Sequence, residues 1–260
     1  MKKGIDVSTL QGNIDWDAVN VDFAMLKATQ GRGETKATER LRVFTDSKFR
    51  RNAEEASRRG IDIGCYHYFT ARNVDEALYE AEHFCRVITP YRSKLKLWAA
   101  VDIESARWLD GVGKKELSAA ASAFCEYIRS AGFRPMLYTN PDFISYRFKE
   151  LPDADIWLAH WNTPRPMQIE RLKIWQYGLE TVDGIGLCDA DIGWFDDLTS
   201  GAGFGESEAL KVGEKYTLKP GDLYSNGKAV PERLIGQSFQ IKQVREDRIL
   251  LDTINSWVMI

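Results

Sequence analysis

The amino-acid sequence predicts a flattened, TIM-like α/β barrel with fewer helices than strands, followed by a small all-β domain of the SH3-like type. Strand-like and helix-like patterns alternate from residue 4 to about residue 180, which is typical of a mainly parallel sheet. No G-x-G-x-x-G motif follows the first strand, which favours a closed barrel over an open dinucleotide-binding sheet. Short β-prone runs separated by turns fill the last fifty residues.

The predicted barrel elements follow one another as strand–helix units. Apolar, β-prone runs predict strands at residues 4–8, 21–29, 61–69, 95–104, 133–139, 154–161 and 173–177. Apolar residues repeated every three to four positions predict helices at about residues 46–59, 73–88 and 115–130. Gly60 and Gly132 follow the first and third of these helices, and Pro90 follows the second, as is typical of helix ends.

A change in composition divides the chain into three predicted parts. Residues 1–198 form the barrel, the small flexible residues at 199–208 form a linker, and residues 209–260 form the all-β domain. In the last part, turn signals separate short β-like runs at 215–218, 221–224, 238–244, 249–251 and 256–259. Short strands in so short a segment indicate a small barrel of the SH3-like type.

Composition and charge exclude several classes of partner. A net charge of −3 and a pI near 5.8 argue against a nucleic-acid ligand, which requires a basic face. No apolar run approaches the roughly 18 residues of a spanning helix, so no membrane insertion is expected. The chain starts without the apolar segment of a signal peptide. Four cysteines without paired spacing are expected to be buried free thiols, which indicates synthesis in a reducing cytoplasm: Cys65, Cys85, Cys125 and Cys188.

Acidic residues follow or end several of the predicted strands. The run L-K-L-W-A-A-V-D-I-E at 95–104 ends in Asp102 and Glu104, whose side chains share one face if this segment is a strand. Asp6 closes the first strand, and Asp189, with Asp191 two residues on, is a further candidate for such a strand end. Because the carboxyl ends of barrel strands meet at one mouth, we expect these acids to gather there. Carboxylates that lie so close together raise one another's pKa. A protonated carboxyl group beside an ionised one is what the cleavage of a glycosidic bond requires.

Other chemistry has weaker support in the sequence. Aromatic residues near predicted strand ends are candidate sugar platforms: Tyr66, Tyr68, Tyr138 and Trp161. No G-x-S-x-G nucleophile elbow and no D-x-D-x-D-G calcium loop occurs. No metal and no other cofactor is therefore expected.

With these residues assembled, the chain closely resembles the glycoside hydrolase family 25 lysozymes, which are N-acetylmuramidases of phage endolysins and bacterial autolysins. The resemblance spans residues 4–198 and rests on motifs in order: G-I-D-V-S (4–8), F-A-M-L-K-A-T (23–29), G-C-Y-H-Y (64–68), V-D-I-E (101–104), L-Y-T-N (137–140), I-W-L-A-H-W (156–161), W-Q-Y (175–177) and G-L-C-D-A-D (186–191).

The resemblance implies cleavage of the β-1,4 bond between N-acetylmuramic acid and N-acetylglucosamine in bacterial peptidoglycan. Glu104 would be the general acid, with Asp6, Asp102 and Asp189 around it stabilising an oxocarbenium-like transition state. Asp102 would either attack the sugar directly or orient the substrate's own acetamido group. The tyrosines and tryptophan given above would bind substrate together with Gln176 of W-Q-Y.

The chain departs from the family pattern at two places. Gln30 stands where the family commonly has the glutamate of T-E-G, which removes one charge from the mouth. Asp191 replaces the asparagine of V-D-x-N, so that either Asp189 or Asp191 could face the sugar. The alignment favours Asp189, and Asp191 is kept as a substrate-binding candidate.

The last fifty residues resemble the SH3-like modules of phage lysins, chiefly in I-N-S-W-V at 254–258. They would bind the cell wall through Tyr224 and Trp257, or else stabilise or dimerise the protein with those aromatics buried. For the whole chain, a non-catalytic wall-binding protein and a chitinase-like glycosidase are the alternatives to a muramidase. As an endolysin, the protein would be made in the host cytoplasm without a signal peptide and act on the wall after release. The sequence does not indicate an oligomeric state.

Overall fold

A closed barrel of eight strands forms the first part of the chain. The computed structural model describes residues 1–32, 42–196, 210–219, 222, 224–225, 228, 230–245 and 248–259. The strands of the first sheet are β1 (Lys2–Val7), β2 (Phe23–Gln30), β3 (Phe44–Thr45), β4 (Asp62–Tyr68), β5 (Leu95–Asp102), β6 (Pro135–Thr139), β7 (Asp155–Ala159), β8 (Leu172–Val182) and β9 (Gly186–Gly193). Their order is β1-β9-β8-β7-β6-β5-β4-β2, and a parallel pairing of β1 with β2 closes the barrel. The predicted barrel is therefore confirmed.

Helices cover only part of the outside of this barrel. Four α-helices lie within the described residues: α1 (Phe49–Arg58), α2 (Val74–Ile88), α3 (Lys114–Ser130) and α4 (Pro141–Tyr146). The first three match the predicted helices. Sequence reasoning missed α4, which is six residues long and thus too short for a periodic pattern. The Asn140 side chain, which caps α4 by accepting from Phe143 N, and Pro141 were its local signals.

Apolar side chains pack in two layers, one outside and one inside the strands. The outer layer joins the sheet to α1, α2 and α3 and includes Phe49, Phe84 and Phe124. The inner layer comes mostly from earlier positions of the strands: Phe23, Met25, Leu97, Trp98, Met136, Trp157 and Ile174. This alternation follows from the two-residue repeat of a strand. Because the inner layer fills the barrel interior, polar side chains are left at the end where the parallel strands finish.

One strand of the barrel runs against the others. β9 is antiparallel to both β1 and β8, whereas the other neighbouring strands of the barrel are parallel. Asp189 therefore lies within β9 and pairs with Asp6, and the prediction that Asp189 follows the carboxyl end of a strand is wrong. The antiparallel direction places the middle of β9 beside the end of β1. Asp191 pairs one step deeper, with Gly4.

The predicted strand at 95–104 is shorter in the structure. β5 ends at Asp102, so Glu104 lies two residues beyond it. Ile103 N still donates to the carbonyl oxygen of Tyr138 at 2.9 Å, which continues the pairing with β6 past the end of the strand. The extended backbone keeps Asp102 and Glu104 on the same cavity.

A second, four-stranded antiparallel sheet forms a small β domain. Its strands, in the order in which they pair, are β10 (Lys215–Thr217), β11 (Ser238–Arg245), β12 (Arg248–Leu251) and β13 (Ser256–Met259). They enclose a separate core that includes Phe239, Ile241 and Val258. Of the predicted strand at 221–224, the structure describes two residues, and Tyr224 forms an isolated bridge with Val258. The predicted linker at 199–208 lies outside the described residues, so the domain boundaries stay predictions.

None of the helices that the structure describes has the length and hydrophobicity of a membrane-spanning segment.

Candidate active site

A cavity of about 580 Å³ opens at the end of the barrel where the parallel strands finish. Nine of the residues that the sequence predicts for the site line it: Asp6, Tyr66, Tyr68, Asp102, Glu104, Tyr138, Trp161, Gln176 and Asp189. Residues separated by up to 183 positions in the chain are thus brought to one surface. Their roles stay predictions, but the expected convergence is present.

The acids differ in depth. Asp6 near the end of β1 and Asp102 at the end of β5 are buried, with Asp102 only 4% exposed. Glu104 and Asp189 are half-buried and reach the solvent-filled space. One side-chain oxygen of Asp102, Oδ1, is buried without a hydrogen-bond partner among the described residues. Glu104 is thus the more accessible of the two acids at the end of β5.

Burial raises the pKa of each acid at the mouth. For Asp102 the loss of hydration raises the pKa well above its usual range, and the carboxylate of Glu104 raises it further. Burial also raises the pKa of Glu104, and the charge of Asp189 adds to this. The ammonium group of Lys27 lowers the pKa of both acids. Because two carboxylates this close repel each other when both are ionised, the pair retains a proton above the usual range for carboxyl groups.

Asp191 lies beneath the cavity and does not line it. Its side chain is 1% exposed, and its Oδ1 accepts a hydrogen bond from the indole of Trp157 at 2.8 Å. Its Oδ2 is buried without a hydrogen-bond donor among the described residues, and its carboxyl contacts that of Asp6. Burial raises the pKa of Asp191 and that of Asp6 well above the usual range, and their mutual repulsion adds to the pKa of Asp6.

This position argues against the predicted direct contact of Asp191 with substrate. The physical reason is the strand register, which sets Asp191 beside Gly4 at a deeper level of the barrel than Asp189. The alignment's preference for Asp189 as the residue facing the cavity agrees with this geometry, since Asp189 is in the cavity lining.

Gln176 connects the acids to the aromatic wall of the cavity. It is 3% exposed, and its Nε2 donates to Asp6 Oδ2 at 2.8 Å. Its Oε1 accepts from the indole of Trp161 at 2.9 Å and from the hydroxyl of Tyr138 at 3.1 Å. Both donors come from the neighbouring side of the barrel. Gln176 therefore links the aromatic side chains of Trp161 and Tyr138 to the carboxyl group of Asp6 through hydrogen bonds.

Aromatic rings line the cavity next to these acids. Trp157 lies edge-on to Tyr138, with ring centroids 4.5 Å apart, and to Tyr66 at 5.8 Å. Trp161 is 41% exposed at the rim, so its face is accessible to a ligand. Tyr68 is half-buried beneath the ammonium group of Lys27, which lies 5.0 Å from its ring centroid.

Sequence reasoning missed several cavity residues, among them three cations. Lys27 is the single charged residue of β2, which was the one signal that it has a polar function. Arg32 follows β2 and is held by the carbonyl oxygen of Thr70 and by Glu76 at 2.7 Å. Arg107 and Trp108 lie in the loop after β5, and the Arg107 guanidinium is 5.0 Å from the ring centroid of Trp108. Nothing in the sequence of that segment indicated that these residues line the cavity.

The two aromatic residues predicted to bind the cell wall lie in the small β domain. Trp257 is half-buried in β13, and the guanidinium of Arg245 lies 4.6 Å from its ring centroid. Tyr224 is half-buried and donates its backbone N–H to the carbonyl oxygen of Lys228. Neither ring is fully exposed or fully buried.

The described residues contain no group of three or more His, Cys, Asp or Glu side chains placed to hold a metal ion.

A barrel with carboxyl groups of raised pKa and aromatic rings around one cavity is typical of enzymes that hydrolyse glycosides. The sequence matches the model of glycosyl hydrolases family 25 over residues 5–183. The chain therefore belongs to this family.

Individual relatives agree with the family match. An autolytic lysozyme of Clostridium acetobutylicum is 27% identical over 226 residues, which are 84% of this chain and 60% of that protein. This chain spans between 60 and 65% of the length of the curated relatives that it matches. Among solved structures, the spore cortex lytic enzyme SleM of Clostridium perfringens has a TM-score of 0.62 and 20% identity, covering 99% of this chain and 86% of that one. The CTP1L endolysin has a TM-score of 0.60 and 22% identity, and the match covers 76% of this chain and 68% of that one. At these identities the two structures show the fold.

Proposed function

We propose that this protein is a peptidoglycan hydrolase that cleaves the β-1,4 bond between N-acetylmuramic acid and N-acetylglucosamine. The observation that carries this proposal is the position of Glu104, half-buried in the cavity with a raised pKa and with Asp102 two residues away. A carboxyl group that keeps its proton in a polar cleft can protonate the departing sugar oxygen.

Asp6, Asp102 and Asp189 surround Glu104 with carboxyl groups of raised pKa, which share protons and leave part of the cluster ionised. An oxocarbenium-like transition state develops positive charge on the sugar ring, and fixed carboxylates in a site of low dielectric stabilise that charge. Glu104 donates its proton to the glycosidic oxygen as the bond to the anomeric carbon breaks. A water molecule adds to that carbon, either directly or after Asp102 or the substrate's own acetamido oxygen has attacked it, and the proton that the water releases restores the acid. The exposed face of Trp161 and the rings of Tyr66, Tyr68 and Tyr138 provide surfaces on which the sugar rings pack.

Replacement of Glu104 by glutamine tests the proposal. Glu104→Gln keeps the size and polarity of the side chain but has no acidic proton to transfer, so the rate of wall lysis is expected to fall by about 10²–10⁴-fold. Binding to wall fragments and the melting temperature should stay close to those of the wild type. Glu82→Gln on the exposed face of α2 is the matched control and should lyse walls normally.

Analysis of the released ends by mass spectrometry separates the candidate reactions. A muramidase leaves muramic acid at the reducing terminus. Reducing ends from unmodified glucosamine polymers would instead support a chitinase-like enzyme. Wall binding without new reducing ends would support a non-catalytic binding protein. Wild-type lysis by Glu104→Gln would remove Glu104 from the role of general acid.

The small β domain, with predicted boundaries at 209 and 260, is proposed to be an SH3-like module that holds the enzyme on the cell wall. Trp257 and Tyr224 are the proposed contacts, since both are half-buried and tyrosine and tryptophan side chains are enriched at interaction sites. Trp257→Ala is expected to weaken binding to purified walls about tenfold while leaving the turnover of soluble fragments unchanged. Gln243→Ala on the exposed face of β11 is the control. Unchanged wall binding by Trp257→Ala would assign the domain a stabilising role instead.

We further propose that the protein is of the phage endolysin type, made in the host cytoplasm and active on the wall after release. Four buried free thiols support folding in a reducing compartment: Cys65, Cys85, Cys125 and Cys188. Expression in a bacterial cytoplasm should be tolerated until a membrane pore is co-expressed, and then lyse the culture. Lysis without the pore would contradict this route.

A further inference from the structure

Two arginines of the cavity lie in neighbouring loops on one side of the barrel. Arg32 lies two residues after the end of β2, and Arg107 lies five residues after the end of β5. Only β4 separates β2 from β5 in the sheet, so the two loops are close around the mouth. The exposed ring of Trp161 lies just after β7, farther round the barrel. The cavity thus presents two guanidinium groups and an accessible aromatic ring on different sides.

Arg32 is held in one position by hydrogen bonds. It is 7% exposed, and its backbone N–H donates to Thr70 Oγ1 at 2.8 Å. Its guanidinium donates to the carbonyl oxygen of Thr70 and to Glu76 Oε1 at 2.7 Å. Thr70 is itself fixed by the fully buried Glu80, which accepts from the Thr70 hydroxyl at 2.6 Å and from its backbone N–H at 3.1 Å. The positive charge of Arg32 is therefore in place before any ligand binds.

The loop that carries Arg107 is joined to the same hydrogen bonds. Glu76 accepts from the backbone N–H of Arg72 at 2.8 Å. The guanidinium of Arg72 donates to the carbonyl oxygens of Trp108 at 3.2 Å and Asp110 at 2.8 Å. Arg107 itself is exposed, with its guanidinium over the Trp108 ring. Glu76 balances one positive charge and Arg72 adds another, so this side of the mouth keeps an excess of positive charge.

Two guanidinium groups in a polar cavity are suited to a carboxylate. A guanidinium is planar, stays ionised and donates paired N–H groups that match the two oxygens of a carboxylate. The ionised part of the acid cluster, which includes Asp6 on β1 and Asp189 on β9, repels a negatively charged group elsewhere in the cavity. A carboxylate on a bound ligand is therefore accommodated best beside Arg32 and Arg107.

The two glycan classes considered for this cavity differ in charge. Glucosamine polymers of the chitin type carry no charged substituent. The muramic acid unit of peptidoglycan carries a lactyl ether on O3, which ends in a free carboxylate or in a stem peptide with carboxylates of its own. Muramyl glycans thus bring an anion to the cavity, and neutral glucosamine polymers do not.

We propose that Arg32 and Arg107 form an anion subsite for the carboxylate that the O3 substituent of a muramyl unit carries. The inference rests on the proposed function and deepens it, because this subsite selects muramyl glycans over neutral polymers. The exposed Arg107 donates directly to the carboxylate, and the fixed charge of Arg32 lies in the same wall. With the sugar ring against Trp161, an anchored O3 substituent also determines how the ring is turned towards Glu104.

Binding of small muramyl ligands tests the subsite without turnover. The disaccharide N-acetylglucosaminyl-N-acetylmuramic acid has a free lactyl carboxylate and lacks the bond that a muramidase cleaves. Its affinity for the full-length protein is measured by NMR chemical-shift titration and compared with that of its methylamide, in which the carboxylate is neutralised. The same disaccharide with a stem peptide, and the methylamide of that compound, form a second pair. The charged member of at least one pair should bind about tenfold more tightly than its methylamide.

Arg107→Gln removes the exposed charge, and its position on the surface makes an effect on folding small. This variant should bind the charged ligand about tenfold more weakly and leave the affinity for the methylamide unchanged. Arg50→Gln on the exposed face of α1 is the control, since it removes the same charge from the molecule outside the cavity. A loss with the simple disaccharide would assign the lactyl carboxylate as the ligand, and a loss with the stem-peptide compound alone would assign the peptide carboxylates.

Arg32 is tested by a pair of variants because it is buried. Arg32→Gln should weaken binding of the charged ligand, and Arg32→Lys, which keeps the charge, should restore part of it. Unchanged binding by Arg32→Gln would remove Arg32 from the subsite.

The proposal is overturned if the wild type does not prefer either charged ligand, or if Arg107→Gln binds all ligands as the wild type does. Equal weakening of a charged ligand and its methylamide would also overturn it. These titrations involve no cleavage, so their failure is distinct from that of the proposed function, which depends on Glu104→Gln and on the released ends.

Discussion

Replacing Asp191 by asparagine is expected to stabilise the barrel at neutral pH. Asp191 Oδ1 accepts a hydrogen bond from Trp157 at 2.8 Å, which the amide oxygen of asparagine can also accept. The other oxygen, Oδ2, is buried without a hydrogen-bond donor among the described residues, and the Asp191 carboxyl contacts that of Asp6. In Asp191→Asn, an N–H group takes this position and can donate to Asp6. An unsatisfied buried polar atom costs about 1–3 kcal/mol, and this is the expected gain in the free energy of unfolding.

The gain should depend on pH, and its sign follows from the direction of the pKa shifts. Burial raises the pKa of Asp191 and Asp6 well above the usual range, so the folded state binds protons more tightly than the unfolded state. The stability that these two carboxyl groups contribute is complete below their pKa in the unfolded state. It is lost as the pH rises through their pKa in the folded state. The wild type therefore loses stability with rising pH. The asparagine side chain of the Asp191→Asn variant does not titrate, so the advantage of the variant increases from acid to neutral pH.

Thermal unfolding at pH 4.5 and pH 7.5 measures this effect. For a domain of this size, each kcal/mol is expected to shift the melting temperature by roughly 2–4 °C. Asp155→Asn is the matched control, because Asp155 accepts a similar indole hydrogen bond from Trp98 at 2.7 Å but is half-exposed. A loss of stability at pH 7.5, or an equal gain at both pH values, would refute the argument from the buried carboxyl pair.

Two further substitutions test the structure around the cavity. Gly31→Ala is expected to destabilise the protein by about 1–3 kcal/mol in urea unfolding, because a Cβ there would lie 2.1 Å from Glu80 Oε1. Gly113→Ala is the control, because the atom nearest to a Cβ at that position lies 3.5 Å away. Equal destabilisation by the two substitutions would contradict this explanation. Lys27→Met removes a cation that lowers the pKa of Glu104, so the alkaline limb of wall lysis should move to higher pH, and a shift to lower pH would exclude this role of Lys27.

The catalytic candidates on parallel strands could be predicted because their signal is local. An apolar run that ends in V-D-I-E places Asp102 and Glu104 at the end of a strand whatever the neighbours are, and G-I-D-V does the same for Asp6. Gln176 could be predicted only from the resemblance of W-Q-Y, because nothing in one glutamine's sequence context identifies the three partners of its amide. Lys27 and Arg107 were missed for a similar reason, since single charged residues in strands and loops are most often solvated.

In the small β domain, too, some features could be predicted from the sequence and others could not. Its β10, β11, β12 and β13 coincide with β-prone runs between turns, so that the elements and the class of the domain could be predicted. Whether Trp257 faces a ligand or the domain itself could not, because the position of Arg245 over its ring depends on the pairing of separate strands.

The sequence by itself determined the α/β barrel, the three longer helices, the small β domain and the position of Asp102 at the end of β5, with Glu104 two residues on. These features depend on periodicity and on residues that are neighbours in the chain. Only the tertiary structure decided how deep each acid lies and which acids reach the cavity. Asp189 reaches the cavity and Asp191 does not, because antiparallel pairing sets them beside Asp6 and Gly4 respectively. Register between strands about 185 residues apart arises from the packing of the whole barrel, and no local pattern encodes it.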